Sequence, residues 1–268
     1  MYFIGKSDTG RQRATNQDSF HYRRIADNVL LCVLCDGMGG TNGGNIASKL
    51  ACSTYSSYIE EKLTPYIDDN GICSLTDNDM ENIIRDGTLA ANDAVYRRAR
   101  ENSELANMGT TLVSFIVCNE NIFIANVGDS RMYMFCDGVL TQLTHDHSYV
   151  QMLVDMGQIT KKQASEHKMR NILTRAVGTD KSLEVDISKI KLSNDVFYML
   201  CSDGLYNYVR EPMIKDLLEC KIEGYDDDYD EELSIRVSSM IEKANEGGGG
   251  DNITVILAKN PTKEIGSL

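Results

Sequence analysis

Four aspartates stand beside glycine at the margins of apolar runs. Leu34-Cys35-Asp36-Gly37-Met38-Gly39-Gly40 and Phe197-Tyr198-Met199-Leu200-Cys201-Ser202-Asp203-Gly204 each read as a buried strand ending in Asp-Gly. Ala125-Asn126-Val127-Gly128-Asp129-Ser130-Arg131 places an aspartate at a tight turn between strands, and Asp251 follows Gly247-Gly248-Gly249-Gly250 to open a last strand. One Asp-Gly pair is an ordinary turn. Four at sheet ends are another matter: if these ends share one side of a sandwich, their carboxylates converge and repel one another unless cations neutralise them. Oxygen-only ligands favour hard cations such as Mg²⁺ or Mn²⁺. Near the start, Arg11-Gln12-Arg13-Ala14-Thr15-Asn16-Gln17-Asp18 sets guanidinium groups close to a further aspartate. A guanidinium can grip a phosphate through two N–H donors, although the stretch by itself reads equally well as ordinary surface.

The elements that would carry these residues are strands in groups, with helices between the groups. Strand-like runs rich in Val, Ile, Phe and Tyr recur at Asn28 to Cys35, Thr110 to Cys118, Asn121 to Val127, Arg131 to Cys136, Val139 to Leu143, Val185 to Leu192, Val196 to Cys201 and Asn252 to Ala258. Asp137-Gly138 joins two of them as a hairpin. Helical periodicity marks Asn45 to Leu63, Asp79 to Glu101 and Leu233 to Ala244. Short turns between neighbouring strands imply antiparallel pairing, and the architecture expected is α+β, two antiparallel sheets packed together and covered by helices in four layers. No repeat or linker divides the chain, so residues 1–268 are expected to form one catalytic domain. His145 to Arg175, polar and weakly periodic, is expected to form a flap over a site. The acidic run Asp226 to Glu232 lacks the glycine that a calcium loop needs and reads as a solvated loop or helix start.

Bulk composition narrows the partners. With 27 Lys and Arg against 40 Asp and Glu the formal charge is -13, which repels nucleic-acid backbones and anionic membrane surfaces. No apolar run reaches the roughly 18 residues of a membrane span, the first residues lack the layout of a secretory signal, and the expected location is the cytoplasm. The 8 cysteines are scattered in apolar stretches, as reduced and buried thiols would be. Cys32 and Cys35 fall three apart in a strand, where side chains point to opposite faces, so they cannot chelate one ion together.

Taken in order, Arg13-Ala14-Thr15-Asn16-Gln17-Asp18, Asp36-Gly37-Met38-Gly39-Gly40, Gly109-Thr110-Thr111, Asn126-Val127-Gly128-Asp129-Ser130-Arg131, Cys201-Ser202-Asp203-Gly204 and Gly250-Asp251-Asn252 resemble the motifs of the 2C-type metal-dependent protein phosphatases. The match runs from about Gly5 to Ala258. Leu143-Thr144-His145-Asp146-His147-Ser148, with Arg170 to Gly178, resembles the flap region of the bacterial members. The resemblance implies hydrolysis of phosphoserine and phosphothreonine in proteins by a metal-activated water held at a dinuclear Mn²⁺ or Mg²⁺ centre. It implies that Asp36 bridges two core ions, that Asp203 and Asp251 complete one shell, and that Gly37 offers its carbonyl to the other. It further implies that Asp18 lies beside the metal waters, that Asp129 and Asp203 hold a third, weaker ion, and that Arg13 binds the substrate phosphate. A cognate Ser/Thr protein kinase and a monomeric state belong to the same expectation.

The chain departs from some relatives at two positions. Met38 stands where a histidine proposed as general acid can occur, and a thioether cannot donate a proton, so water or another group must do so. His145 and His147 are near the flap but read as structural histidines, and Gln17 replaces a glutamate. Two other readings compete: a silent phosphoprotein binder, which the retained Asp36, Asp203 and Asp251 disfavour, and a two-metal nuclease or small-molecule phosphoesterase, whose nucleic-acid form the net charge disfavours.

Overall fold

The chain, described here from a computed structural model over residues 1–222 and 228–261, alternates strand groups and helices as its pattern implies. Strands β1 (Tyr2–Asp8), β2 (Asp18–Ala26) and β3 (Val29–Met38) precede two long helices, α1 (Gly40–Leu63) and α2 (Asp77–Glu101). Strands β4 (Gly109–Thr110), β5 (Leu112–Cys118), β6 (Asn121–Val127), β7 (Arg131–Cys136) and β8 (Val139–Gln142) follow. After short helices α3 (Tyr149–Asp155) and α4 (Lys161–Ser165) come β9 (Asp186–Lys191), β10 (Val196–Cys201), α5 (Asp203–Tyr206), α6 (Glu211–Glu219), α7 (Tyr229–Glu246) and β11 (Ile253–Asn260).

All the strand pairs are antiparallel. One sheet runs β1-β11-β10-β7-β8 and the other β2-β3-β5-β6-β9, with β4 attached to β3. Period-2 alternation gives each central strand two apolar faces. Leu30, Cys32 and Leu34 of β3 meet Tyr198, Leu200 and Ile256 between the sheets, whereas Leu31, Val33 and Cys35 face Tyr55, Ile59 and Ile84 of α1 and α2. On the far side, Met199, Val255 and Leu257 pack under Leu233, Val237 and Met240 of α7. The result is the four-layer α-β-β-α sandwich. Cys32 and Cys35 lie in different clusters, and all 8 cysteines are free, with only Cys136 and Cys220 not buried. Among the described residues no helix is long and apolar enough to cross a membrane.

Several boundaries differ from the sequence expectation, each for a physical reason. The strand expected to stop at Cys35 continues through Asp36 and Gly37 to Met38, because β4 supplies ladder partners for Gly37 and Met38; the turn starts at Gly39 and Gly40, both at positive φ. The run from Thr110 breaks at Thr111, whose hydroxyl and amide are taken by Asp36. β1 and β2 had no expectation at all, since both are polar along much of their length and become strands only by pairing with β11 and β3. α1 starts at Gly40 rather than Asn45. α7 starts at Tyr229 rather than Leu233, with the Asp228 carboxylate capping the Glu231 amide. Of the acidic run, Asp226 and Asp227 lie outside the described residues. The segment from His145 to Arg175 contains α3 and α4, and its ends close on each other where Tyr149 N–H meets the Ile172 carbonyl (2.8 Å) and Thr174 N–H meets that of His147 (2.9 Å).

Candidate metal centre

The four glycine-flanked aspartates reach one cleft. Asp36, Asp129, Asp203 and Asp251 line a cavity of about 450 Å³ together with Arg13, Gln17, Gly37, Met38, Thr111, Asn171 and Leu173. Asp36 sits late in β3, and its backbone is pinned on both sides: its N–H donates to Thr111 Oγ1 (2.9 Å) and its carbonyl accepts from the Thr111 amide and the Thr110 hydroxyl, each at 2.8 Å. Asp203 opens α5, with Oδ2 accepting from Asn207 Nδ2 at 3.0 Å. Asp251 leads into β11, and Asp129 occupies the β6–β7 turn, where Tyr206 Oη donates to its carbonyl at 3.0 Å. Two glycines beside these carboxylates are required by close approach: a Cβ on Gly37 would stand 2.1 Å from the Gly44 carbonyl oxygen, and one on Gly204 1.9 Å from that of Asn252.

Asp18 joins the cluster from behind. It is directly opposite Asp36 in the β2–β3 register and buried, and its Oδ2 accepts from Ser202 Oγ (2.8 Å) and Thr254 Oγ1 (2.6 Å). Burial pushes the Asp18 carboxyl up to about 6 despite these two hydrogen bonds, with the charge of Asp251 adding to the rise. Asp129 is pushed up to about 7 by burial and by Asp146, although Arg131 opposes the shift. Asp36 and Asp203 are held well above the ordinary carboxylate range, by burial first and then by their acidic neighbours.

Arg131 beside Asp129 and Arg13 on Asp251 do not balance carboxylates at this density. Asp18 Oδ1 and Asp203 Oδ1 are buried with no hydrogen-bond partner, and an orphaned carboxylate oxygen is costly unless a cation or water satisfies it. Among the described residues no three His, Cys, Asp or Glu side chains form a ready-made cage around one point. A hard cation that keeps several waters does not need one. The oxygen-only donor set and its unbalanced charge therefore fit Mn²⁺ or Mg²⁺.

Arg13 lies at the rim, half exposed. Its Nη2 donates to Asp251 Oδ2 at 2.8 Å and its Nε to the Gly250 carbonyl at 3.3 Å. The two histidines are elsewhere. His145 is exposed and pairs with Asp155 (2.9 Å), while His147 is buried, its Nδ1 accepting from the Gly128 amide (3.0 Å) and its Nε2 facing Asp186. Neither lines the cleft, whereas Met38 does. Sequence reasoning passed over the hydroxyls beneath the carboxylates: Ser130 bonded to Thr111 (2.7 Å), and Ser202 and Thr254 on Asp18. Their only sequence signal is a Ser or Thr one or a few residues from a candidate aspartate.

Known proteins resemble the chain in sequence and fold. The family profile described as "Protein phosphatase 2C" matches residues 5–233. The serine/threonine phosphatase stp of Listeria monocytogenes is 35% identical over 266 residues, covering 99% of this chain and 98% of its own. The crystal structure of the serine/threonine phosphatase Stp1 from Staphylococcus aureus superposes with a TM-score of 0.81 at 33% identity, over 96% of this chain and 94% of that one. A catalytic domain of the phosphatase PstP solved with two manganese ions gives a TM-score of 0.78 at 29% identity, over 96% and 97% of the chains. Fold, ordered motifs and acidic cleft thus lead to one assignment: the chain belongs to the protein phosphatase 2C family.

Proposed function

We propose that this protein removes phosphate from phosphoserine and phosphothreonine side chains of proteins at a dinuclear Mn²⁺ or Mg²⁺ centre in the acidic cleft. The observation that carries the reading is the convergence of Asp36, Asp129, Asp203 and Asp251, raised or orphaned carboxylates among them, on one cavity. Asp36 would bridge the two core ions, with Asp203, Asp251 and the Gly37 carbonyl completing their shells; Asp129 and Asp203 would share a weaker third. Bound there, the ions would supply an activated water for attack on phosphorus and positive charge for the phosphate oxygens.

The chain's own groups do the rest. Arg13, with two of its N–H donors engaged by Asp251 and Gly250, keeps others to orient a phosphate entering the rim. Asp18, whose Oδ2 is occupied by two hydroxyls and whose Oδ1 is buried without a partner, would serve as a hydrogen acceptor for a water at the centre. Met38 cannot protonate the leaving alkoxide, and His145 and His147 lie off the cleft, so that proton would come from water or another group. The 145–175 segment, which reaches the cleft through Asn171 and Leu173, would act as the flap of a single catalytic domain. A kinase that phosphorylates Ser and Thr would be its counterpart, and a monomer in the cytoplasm belongs to the same proposal.

Phosphate release from a phosphothreonine peptide, a phosphotyrosine peptide and a nucleotide, each with Mn²⁺, Mg²⁺ or excess chelator, tests this. The phosphothreonine peptide should be hydrolysed with metal and spared in chelator, and a folded Asp36→Asn protein should be inactive throughout. Activity that persists in chelator, or a nucleotide cleaved in preference, would refute the proposal.

A further inference from the structure

We infer that Thr254 and Ser202 are positioning residues for the hydrolysis, acting through Asp18. Both are fully buried, and both spend their hydroxyl hydrogen on Asp18 Oδ2, at 2.6 and 2.8 Å. A hydroxyl has one hydrogen, which fixes the direction of every other contact in the chain. With its hydrogen on Asp18, Thr254 Oγ1 must accept from Ser7 Oγ at 2.7 Å. Ser7 in turn accepts from Asn16 Nδ2 at 2.7 Å. Ser202 Oγ accepts from the Thr254 amide at 3.0 Å, and its own hydrogen goes to Asp18 Oδ2 at 2.8 Å in preference to the Asn252 carbonyl at 3.4 Å. Aligned donors of this kind polarise one another, and the carboxylate at their end is the sink.

The arrangement also spans the two sheets. Asp18 and its register partner Asp36 belong to one sheet, while Ser202, just past β10, and Thr254 of β11 belong to the other side, near Asp203 and Asp251 in sequence. The hydroxyls therefore tie one oxygen of Asp18 to the sheet that carries Asp203 and Asp251, and leave the other buried without a hydrogen-bond partner. The inference deepens the proposed reading, in that it takes Asp18 to take part in the hydrolysis.

Two substitutions at Thr254 separate positioning from packing. Thr254→Val keeps the shape and the methyl but removes the hydroxyl; Thr254→Ser does the reverse. Positioning predicts that Thr254→Val lowers kcat on a phosphothreonine peptide roughly ten- to a hundredfold, the span expected for one lost hydrogen bond to a charge, with KM little changed. Thr254→Ser should stay within about twofold of the parent, and Ser202→Ala should resemble Thr254→Val. A normal Thr254→Val, or an equal loss in Thr254→Ser, overturns the inference. A second measurement needs no activity: in chelator, urea midpoints of the parent, Asp18→Asn, Thr254→Val and the double variant should be non-additive, the Val substitution costing less once Asp18 is gone. Additive midpoints also overturn it. If Asp18→Asn retains full turnover while the midpoints remain coupled, the contact stands and the role of Asp18 in the proposed hydrolysis is what has failed.

Discussion

Asp129 is the aspartate whose role is decided by its surroundings rather than its own position. It is buried in the β6–β7 turn, pushed up to about 7, and close enough to Asp203 for its charge to push that carboxyl further up. Its turn is braced by the neighbours: Arg131 grips Asp146 with Nε and Nη2 (3.0 and 2.6 Å) and lies 3.6 Å over the Tyr206 ring, whose hydroxyl holds the Asp129 carbonyl. The backbone thus stays in place without the carboxylate, which leaves the carboxylate available for an ion. Asp129→Ala should retain two tight Mn²⁺ sites in calorimetry, lose a weaker one, and turn over phosphopeptide more slowly even at saturating Mn²⁺. Unchanged stoichiometry with normal turnover would make Asp129 a turn residue only.

Elements place these residues through features that local sequence announces unevenly. α2 has a local start signal that hydrophobic period alone, which set the expected start at Asp79, does not use: Thr76 accepts from the Asp79 amide while the Asp79 carboxylate accepts from the Thr76 amide, a capping box that puts the first helical residue at Asp77. Thr76→Ala should cost about 1 kcal/mol of stability, visible as a lower melting temperature. Because Thr76 does not line the cleft, phosphopeptide turnover at 25 °C should be unaltered. A large loss of turnover would mean that α2 does more than cover its sheet. β3 is the opposite case. Its apolar run stops at Cys35, and nothing local says that Asp36 to Met38 stay extended; β4, more than seventy residues downstream, decides it. Polar β1 and β2 are likewise made strands by partners remote in sequence.

At the scale of the whole molecule, the cleft is a concentration of negative charge that folding must create. Asp18, Asp36, Asp129 and Asp203 all titrate higher in the folded chain than the ordinary 3.8. For a carboxyl whose folded value is raised, the native state binds more protons than the unfolded one in the interval between the two values. Stability is then full below about 4 and is lost as pH rises through the folded values, about 6 for Asp18 and about 7 for Asp129. His147, lowered chiefly by burial, works in the other direction, losing stability as pH falls below about 6.5. The cluster's part is isolated by comparison with Asp129→Asn. In chelator, the urea midpoint of the parent should fall more steeply between pH 5 and pH 8 than that of the variant, and Mn²⁺ at pH 8 should restore the parent. Parallel pH curves with no response to Mn²⁺ would mean that the carboxylates do not strain the fold.

What sequence alone determined were the types and order of the candidate groups: apolar runs that had to be buried strands, with Asp-Gly or Gly-Asp pairs toward their ends, although at Asp36-Gly37 the strand itself runs on to Met38. The sandwich class followed from those periods, and the expectation of a hard cation from carboxylates without nitrogen or sulfur partners. Only the tertiary structure decided that Asp18 and Asp36 lie opposite each other, that Arg13 rests on Asp251, that His147 turns to Gly128 instead of the cleft, and that the Thr254 and Ser202 hydroxyls both end on one carboxylate oxygen. These contacts join residues up to 238 positions apart. No local pattern encodes them, because each depends on how two whole sheets are stacked and registered.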